Sequence, residues 1–142
     1  MRVRDVLRRK GDLVVTISPD ERVGALLDAL AEHKVGALVV AGAGGDVEGI
    51  VSERDVVRHL QSRGARVLED PVSAIMTSPV HTAAPDTTLD DLMVLMTERR
   101  VRHVPVVVDG RLAGIVSIGD VVKHRIEELQ SERDQLTAYI TG

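Results

Sequence analysis

The feature that most constrains this chain is an internal repeat. Residues 49–55 read Gly-Ile-Val-Ser-Glu-Arg-Asp, and residues 114–120 read Gly-Ile-Val-Ser-Ile-Gly-Asp. Upstream, Pro19 aligns with Pro85 at nearly the same offset, which changes by one residue at the Gly-rich stretch 42–46. Surface turns are where repeated units tolerate an insertion. The sequence therefore predicts two similar structural units.

Hydrophobic periodicity predicts the order β-α-β-β-α in both units. In the first unit the predicted elements are a strand at residues 14–17, a helix from Val23, strands at 36–41 and 47–51, and a helix from Val56 to about Gly64. In the second they are a strand at 80–83, a helix from Leu89, strands at 103–108 and 112–116, and a helix from Ser117 onward. A short helical lead-in is predicted before each unit, at residues 3–9 and 71–77.

These elements predict an α+β fold. A half of roughly 60 residues has a thin core and is marginally stable alone. We therefore expect the two halves to pack face to face about a pseudo-two-fold axis, with two related clefts at their junction. The predicted boundaries are residues 1–64 for the first repeat with its lead-in, 65–71 for a linker, 72–126 for the second repeat, and 127–142 for a helical extension.

Composition excludes several classes of function. The chain has one Tyr, no Phe and no Trp, so it lacks the aromatic platforms on which nucleic-acid bases stack. Its net charge of −4 gives no general attraction to nucleic acid or to anionic membranes. The absence of cysteine excludes disulfides, thiolate metal sites and cysteine nucleophiles. We expect a soluble, cytoplasmic protein without nucleic-acid or membrane partners.

The repeated Ser-x-x-Asp motif has two interpretations. Ser52 with Asp55, and Ser117 with Asp120, each precede a predicted helix, where such a pair forms a capping box. The same groups at a helix start beside a cleft are also suited to binding a polar ligand. The two roles are compatible.

Other motifs favour less specific roles. The Gly-rich stretch 42–45 is followed by a predicted strand and not by a helix, which favours a hairpin turn over a dinucleotide-binding loop. The five histidines lack a metal-ligand spacing, so no metal is expected. His59 and His124 each follow an aspartate by four residues, which predicts an exposed Asp–His pair.

Four elements together resemble a tandem pair of CBS domains, also called a Bateman module. They are the repeated Gly-Ile-Val-Ser-x-x-Asp, the Pro-Asp before each first helix, the lead-in at residues 72–77, and the Arg-His-Val-Pro-Val of residues 102–106. The resemblance covers nearly the whole chain and is closest to small stand-alone CBS-pair proteins. It implies a module that binds adenosine-containing ligands: AMP, ADP, ATP, NAD-type dinucleotides or S-adenosylmethionine.

The resemblance also implies which residues contact the ligand. The ribose would be held by Ser52 with Asp55 in one cleft and by Ser117 with Asp120 in the other. Residues borrowed from the opposite repeat would be His81, Arg102, His103 and Ser117 in the Asp55 cleft, and Val15, the stretch 36–37, Ser52 and Arg54 in the Asp120 cleft.

We expect the two clefts to differ in affinity. Arg102 and His103 can donate to phosphate, whereas Gly36 and Ala37, at the matching positions, carry no polar side chain. Conversely, Arg54 is matched by Gly119 in the second repeat. Residues 99–100 are expected to stay on the surface.

The last helix runs past the repeat with an apolar stripe that includes Ile126, Leu129 and Leu136, which predicts packing on the chain itself or on a second subunit. The resemblance implies a homodimer. No P-loop and no placeable catalytic triad is present, so the expected function is a non-catalytic regulatory module that signals ligand occupancy to an unknown partner protein. The alternative is a dimerising scaffold whose clefts are vestigial.

Overall fold

The computed structural model describes residues 1–11 and 14–141, and it confirms an α+β fold made of two CBS-like repeats. The first repeat contains β1 (Thr16–Ile17), α2 (Val23–His33), β2 (Ala37–Ala41), β3 (Val47–Ser52) and α3 (Glu53–Arg63). The second contains α4 (Leu89–Arg99), β4 (His103–Val108), β5 (Arg111–Ser117) and α5 (Ile118–Thr141). Helix α1 (Val3–Lys10) precedes the first repeat, and two 3₁₀ helices, Gly64–Glu69 and Val72–Ala74, join the repeats.

Each repeat is built on an antiparallel hairpin. Strand β2 pairs with β3, and β4 pairs with β5. The turn 42–46 closes the first hairpin through a 3.0 Å hydrogen bond from the Gly42 N–H to the Asp46 carbonyl, as expected for a turn and not for a dinucleotide-binding loop. Strand β1 adds to β2 in parallel.

The predicted strand at 80–83 is much shorter than expected. Only Ala83 forms a parallel bridge, with Val106, and it exchanges hydrogen bonds of 2.9 Å with Pro105 and Val107. One residue is enough to align this segment on β4, because Ala83 both donates and accepts there. The first repeat is similar, since β1 is only two residues long.

The lead-ins are exchanged between the two cores. Val3 and Val6 of α1 are fully buried among the apolar side chains of the second repeat, including Leu92 and Val104. The core of the first repeat is completed instead by residues that precede the second repeat, including Val72. The sequence places α1 with the first repeat, but in space it packs on the second.

Backbone hydrogen bonds repeat the exchange on both sides. The Val3 N–H donates to the Thr87 carbonyl at 2.9 Å, and the Val72 N–H donates to the Glu21 carbonyl at 2.7 Å. Thr87 and Glu21 occupy matching positions in the repeat. The pseudo-two-fold relation therefore includes the lead-ins as well as the hairpins and helices.

The second lead-in is not the helix predicted at 71–77. Only Val72–Ala74 forms a 3₁₀ turn. After this turn, Thr77 pairs with Ile50 through hydrogen bonds of 2.8 and 3.1 Å. This bridge to β3 holds the chain extended, so a tertiary contact overrides the local helical preference.

Helix α5 continues beyond the core. Val121 and His124 are buried, but every described residue from Leu129 to Thr141 is exposed. The apolar stripe predicted for this helix therefore has no cover in the described part of one chain. No helix in that part is both long and apolar enough to cross a membrane.

Candidate ligand cleft between the two repeats

A cleft of about 320 Å³ lies where the two repeats meet. The first repeat contributes the end of β3 and the start of α3, and the second contributes the end of α4 and the start of β4. Thr77 lies between them. The lining residues are Gly36, Ile50, Ser52, Glu53, Arg54, Asp55, Arg58, Thr77, Arg99, Arg100, Val101, Arg102 and His103. The cleft therefore requires both repeats.

Ser52 and Asp55 form a capping box at the start of α3. The Ser52 N–H donates to Asp55 Oδ2 at 2.9 Å, and Ser52 Oγ accepts from the Asp55 N–H at 3.4 Å. These bonds satisfy amides that a helix start leaves unpaired. The capping role is thus present in the structure, and it fixes the orientation of the Asp55 carboxylate.

Asp55 lines the cleft and is only 5% exposed. The Thr77 hydroxyl lies 3.2 Å from Oδ1 and donates to it. A carboxylate oxygen accepts two hydrogen bonds, so Oδ1 retains capacity for one further donor. A ligand hydroxyl could reach this acceptor directly or by displacing the exposed Thr77 hydroxyl.

The charged lining of the cleft is mostly positive. Two carboxylates, Glu53 and Asp55, face five arginines, which are Arg54, Arg58, Arg99, Arg100 and Arg102. Within residues 1–11 and 14–141, none of their guanidinium groups forms an ion pair or a side-chain hydrogen bond. Unpaired guanidinium groups present rigid forks of donors that match phosphate oxygens. The cleft is therefore electropositive on a protein whose net charge is −4.

His103 lines the cleft at the start of β4, where it pairs with Ser117 of β5. Burial lowers the pKa of His103, and the positive charges of Lys10 and Arg102 lower it further, while Asp120 and Glu53 oppose them. At neutral pH the imidazole is therefore uncharged, and each nitrogen can donate or accept according to its tautomer.

Asp120 is placed like Asp55 but is differently engaged. The Ser117 N–H donates to Asp120 Oδ2 at 2.9 Å, which repeats the capping geometry. Lys10 Nζ also lies 2.6 Å from the same oxygen. Burial would raise the pKa of Asp120, but the hydrogen bonds from Lys10 and Ser117 outweigh burial and lower it.

The predicted site residues do not all lie together. The cleft contains Ser52, Arg54, Asp55, Arg102 and His103. Arg54 therefore lies beside Asp55, in the cleft of its own repeat, and not in a cleft with Asp120. Ser117 and Asp120 are partly buried near His103 but do not line this cleft.

Two further predicted residues lie outside the cleft. Val15 is partly buried and packs against the apolar core of the first repeat. His81 is exposed and does not line the cleft, since only Ala83 of its segment is held on the sheet.

One expectation about charged residues was incomplete and another was wrong. Arg99 and Arg100 are exposed, as expected, but they also line the cleft at the end of α4. The predicted Asp–His side-chain pairs were wrong: the Nδ1–H of His59 and of His124 donates to the backbone carbonyl oxygen of the aspartate four residues earlier, at 2.8 Å, and not to its carboxylate. His124 is also buried, at 3% exposure.

Sequence reasoning missed Lys10, Arg58 and Thr77. Arg58 lies one helical turn after Arg54, and that spacing was the available signal. Lys10 and Thr77 reach their positions only through the lead-in exchange, for which the sequence carries no local signal. Within the described ranges, no three His, Asp or Glu side chains cluster in a way that could hold a metal ion.

Comparison with known proteins assigns the class. The CBS domain family model matches residues 3–62 and again residues 72–127. The chain belongs to the CBS-domain family and carries two CBS domains in tandem. Such pairs are regulatory modules that bind adenosine-containing ligands, and stand-alone CBS proteins are generally non-catalytic.

Individual relatives agree with this assignment. The mitochondrial CBS domain-containing protein CBSX3 of Arabidopsis thaliana is 36% identical, over 99% of this chain and 72% of its own length. The crystal structure of the CBS-domain containing protein ATU1752 from Agrobacterium tumefaciens is 50% identical, with a TM-score of 0.85 over 87% of this chain and 92% of that one.

A more distant structure carries ligands. The CBS domain pair of protein MJ0100, in complex with 5-methylthioadenosine and S-adenosyl-L-methionine, has a TM-score of 0.81 over 90% of this chain and 98% of that one. Its sequence is 24% identical to this chain, so this likeness shows the fold alone.

Proposed function

We propose that this protein is a non-catalytic sensor of adenine nucleotides, which bind in the cleft lined by the five arginines. The observation that supports this most is the meeting of an oriented carboxylate, Asp55, with guanidinium groups from both repeats that have no partner among the described residues. A nucleotide has hydroxyls that donate to a carboxylate and phosphates that accept from guanidinium groups. The two groups of residues therefore match the two polar ends of one ligand.

Charge favours phosphorylated ligands. AMP, ADP and ATP carry negative charge that the arginines would neutralise, and an NAD-type dinucleotide carries a pyrophosphate. S-Adenosylmethionine has a cationic sulfonium, which the arginines would repel. We therefore favour AMP, ADP or ATP over S-adenosylmethionine, although a distant structural relative binds the latter.

Binding would connect the repeats. Arg54 and Arg58 belong to α3 of the first repeat, whereas Arg99, Arg100 and Arg102 belong to the second. A phosphate group bridged by both sets would favour conformations in which the repeats are close. Such a ligand shifts the equilibrium only to the extent that it binds one conformation more tightly, and a partner protein could read that shift.

The signalling form we propose is a homodimer. Exposed apolar side chains lie on α3 and α5, with Val57 at 66% exposure, and Val122 and Ile126 also exposed. Burying these faces between two copies would remove apolar surface from water. Most soluble oligomers of identical chains are C2 dimers.

The test is a thermal-shift panel with AMP, ADP, ATP, NAD and S-adenosylmethionine, followed by calorimetry on each hit. A ligand present at 100 times its dissociation constant should stabilise the protein by about 2.7 kcal/mol. We expect ATP, ADP or AMP to raise the melting temperature and Asp55→Asn to weaken that effect. Asp134→Asn, on the exposed end of α5, is the matched control.

The second candidate is a dimerising scaffold with vestigial clefts. Its supporting observation is that Asp55 is buried and already engaged by Ser52 and Thr77, as a purely structural cap would be. If no nucleotide in the panel binds a folded, ligand-free dimer, this candidate replaces the sensor.

A further inference from the structure

The two capping aspartates are equivalent in sequence and backbone geometry. Each accepts a 2.9 Å hydrogen bond at Oδ2 from the N–H of the serine three residues earlier. Each serine ends the second strand of its hairpin, and each aspartate lies in the first turn of the following helix. Any difference between the two sites therefore comes from the residues around them.

The lead-ins supply that difference. Beside Asp55, the second lead-in places Thr77, whose N–H donates to the Ile50 carbonyl and whose hydroxyl donates to the carboxylate. Beside Asp120, the first lead-in places Lys10. Its ammonium group donates to the Ile115 carbonyl at 2.9 Å and to Asp120 Oδ2 at 2.6 Å.

Ile50 and Ile115 are matching residues of the repeat, as are Asp55 and Asp120. The strand carbonyl and the capping carboxylate thus accept hydrogen bonds from a neutral residue, Thr77, in one repeat and from a cation, Lys10, in the other. A hydroxyl is readily exchanged for a ligand hydroxyl. Displacing an ammonium from a carboxylate leaves two partly buried charges unpaired, which costs more.

The pair is partly shielded from water. The Lys10 side chain is 33% exposed and that of Asp120 is 23% exposed. Screening by solvent is therefore weaker than at the exposed ion pairs elsewhere on the surface, such as Arg22–Glu69. The hydrogen bond from Lys10 also lowers the pKa of Asp120, so the ion pair persists through the neutral range.

The residue next to the aspartate also differs between the two sites. Where the Asp55 cleft has Arg54, the matching position beside Asp120 carries Gly119, which has no side chain. The Asp120 site thus combines an occupied carboxylate with the loss of one guanidinium group.

We infer that Lys10 closes the Asp120 site from within and restricts each chain to one nucleotide, held in the arginine-lined cleft at Asp55. This inference rests on the proposed function for its ligand. The contact between Lys10 and Asp120 can be tested without any ligand.

The ligand-free test uses Lys10→Met, which keeps the length and apolar stem of the side chain and removes its charge. Arg8→Met, an exposed position on the same helix, is the control because it removes the same charge without touching Asp120. In Lys10→Met, carboxyl-carbon NMR should show a higher pKa for Asp120, and ring-proton NMR a higher pKa for His103. Equal titrations in Lys10→Met and the parent protein would overturn the inference.

The ligand test is calorimetry with ATP. We expect one site per chain in the parent and in Arg8→Met, and a second, weaker site in Lys10→Met. The double variant Lys10→Met/Asp55→Asn should retain only that second site. Two sites in the parent, or one site in Lys10→Met despite a freed Asp120, would overturn the inference.

The two failures can be told apart. If the titrations of Asp120 and His103 respond to Lys10→Met but no variant binds ATP, ADP or AMP, the proposed function is wrong, and the restriction to one nucleotide falls with it. If the parent binds ATP but the titrations do not respond, only the role of Lys10 is wrong.

Discussion

Gly49 lies so close to Met76 that a Cβ atom added to the glycine would come within 2.7 Å of the methionine sulfur. Gly114 has the same relation to Leu7, again at 2.7 Å. Gly49 and Gly114 are matching residues of the repeat, and each faces a lead-in that belongs to the other half. The repeated glycine thus makes room for the exchanged lead-in to cross the hairpin.

Gly49→Ala should therefore destabilise the protein by about 1–3 kcal/mol, the usual range for an overpacked core. Besides Met76, the new methyl group would meet the Thr77 carbonyl oxygen at 3.0 Å, and backbone moves less easily than a side chain. Gly114→Ala should cost less, because it meets only the flexible end of Leu7. Urea denaturation measures the free energy of unfolding of both variants, with Gly44→Ala in the open turn as control. Equal stability of all three variants would contradict the close passage of the lead-ins over Gly49 and Gly114.

Val6→Ala should weaken the second repeat more than the first. Val6 is fully buried in the second core although it precedes the first repeat in sequence. Losing two methyl groups there should cost about 2 kcal/mol. Hydrogen exchange should show faster opening of β4 and β5 than of β2 and β3, whereas Val94→Ala, an exposed position on α4, should change neither hairpin. Faster exchange confined to β2 and β3 would show that α1 packs on its own repeat.

Arg102→Gln should weaken ATP binding about 10- to 100-fold, because a hydrogen bond to a charged group contributes roughly 1.5–3 kcal/mol. Arg102 forms no ion pair among the described residues, so its replacement does not leave a carboxylate without a partner. Arg111→Gln, at the far end of β5, is the control and should bind as the parent does. Calorimetry at two salt concentrations should also show a smaller salt dependence for Arg102→Gln.

His103 should make the protein less stable under mildly acidic conditions. Its pKa in the folded state is lowered by burial and by the charge of Lys10, so the unfolded chain binds the proton more readily. Below the unfolded value, about 6.5, the free energy of unfolding should therefore fall, until the folded pKa is passed. His103→Gln should reduce this loss between pH 7 and pH 5.5, whereas the exposed His33→Gln should not.

Nucleotide binding should favour protonation of the same residue. A phosphate in the cleft would raise the pKa of His103, so binding should take up a proton when the pH lies between the free and bound values. Calorimetry in buffers of different ionisation enthalpy should detect this uptake. In His103→Gln it should disappear, and affinity should become less dependent on pH between 7.5 and 6.

Much of the fold was predictable from local pattern. The hairpins follow from β-branched runs across glycine turns, and the helices follow from periodic apolar residues beginning at Val23 and Leu89. The lead-in at 71–77 was not predictable in this way, because Thr77 is held extended by Ile50, a residue distant in sequence. Periodicity shows that Val3 and Val6 are buried, but it does not show in which core.

The candidate site was predictable in part. Ser52 and Asp55 stand out in the sequence because they recur in the second repeat, and Arg102 stands out because the first repeat has a glycine at the matching position. A basic helix end predicts that Arg99 and Arg100 are exposed, which they are, but not that they line a cleft. Their place in the cleft depends on how the repeats meet, and the contact of Lys10 with Asp120 depends on the same geometry.

The exchange of lead-ins also bears on how such a chain could arise and be divided. An isolated repeat would carry its own lead-in but lack the lead-in of the other repeat, which completes its core. Only a second copy of the chain could supply that missing lead-in. Two separate repeats, each lending its lead-in to the other, would reproduce between chains the contacts seen here within one. The present chain is therefore equivalent to a segment-swapped dimer whose two subunits have been joined by the residues around Gly64–Glu69.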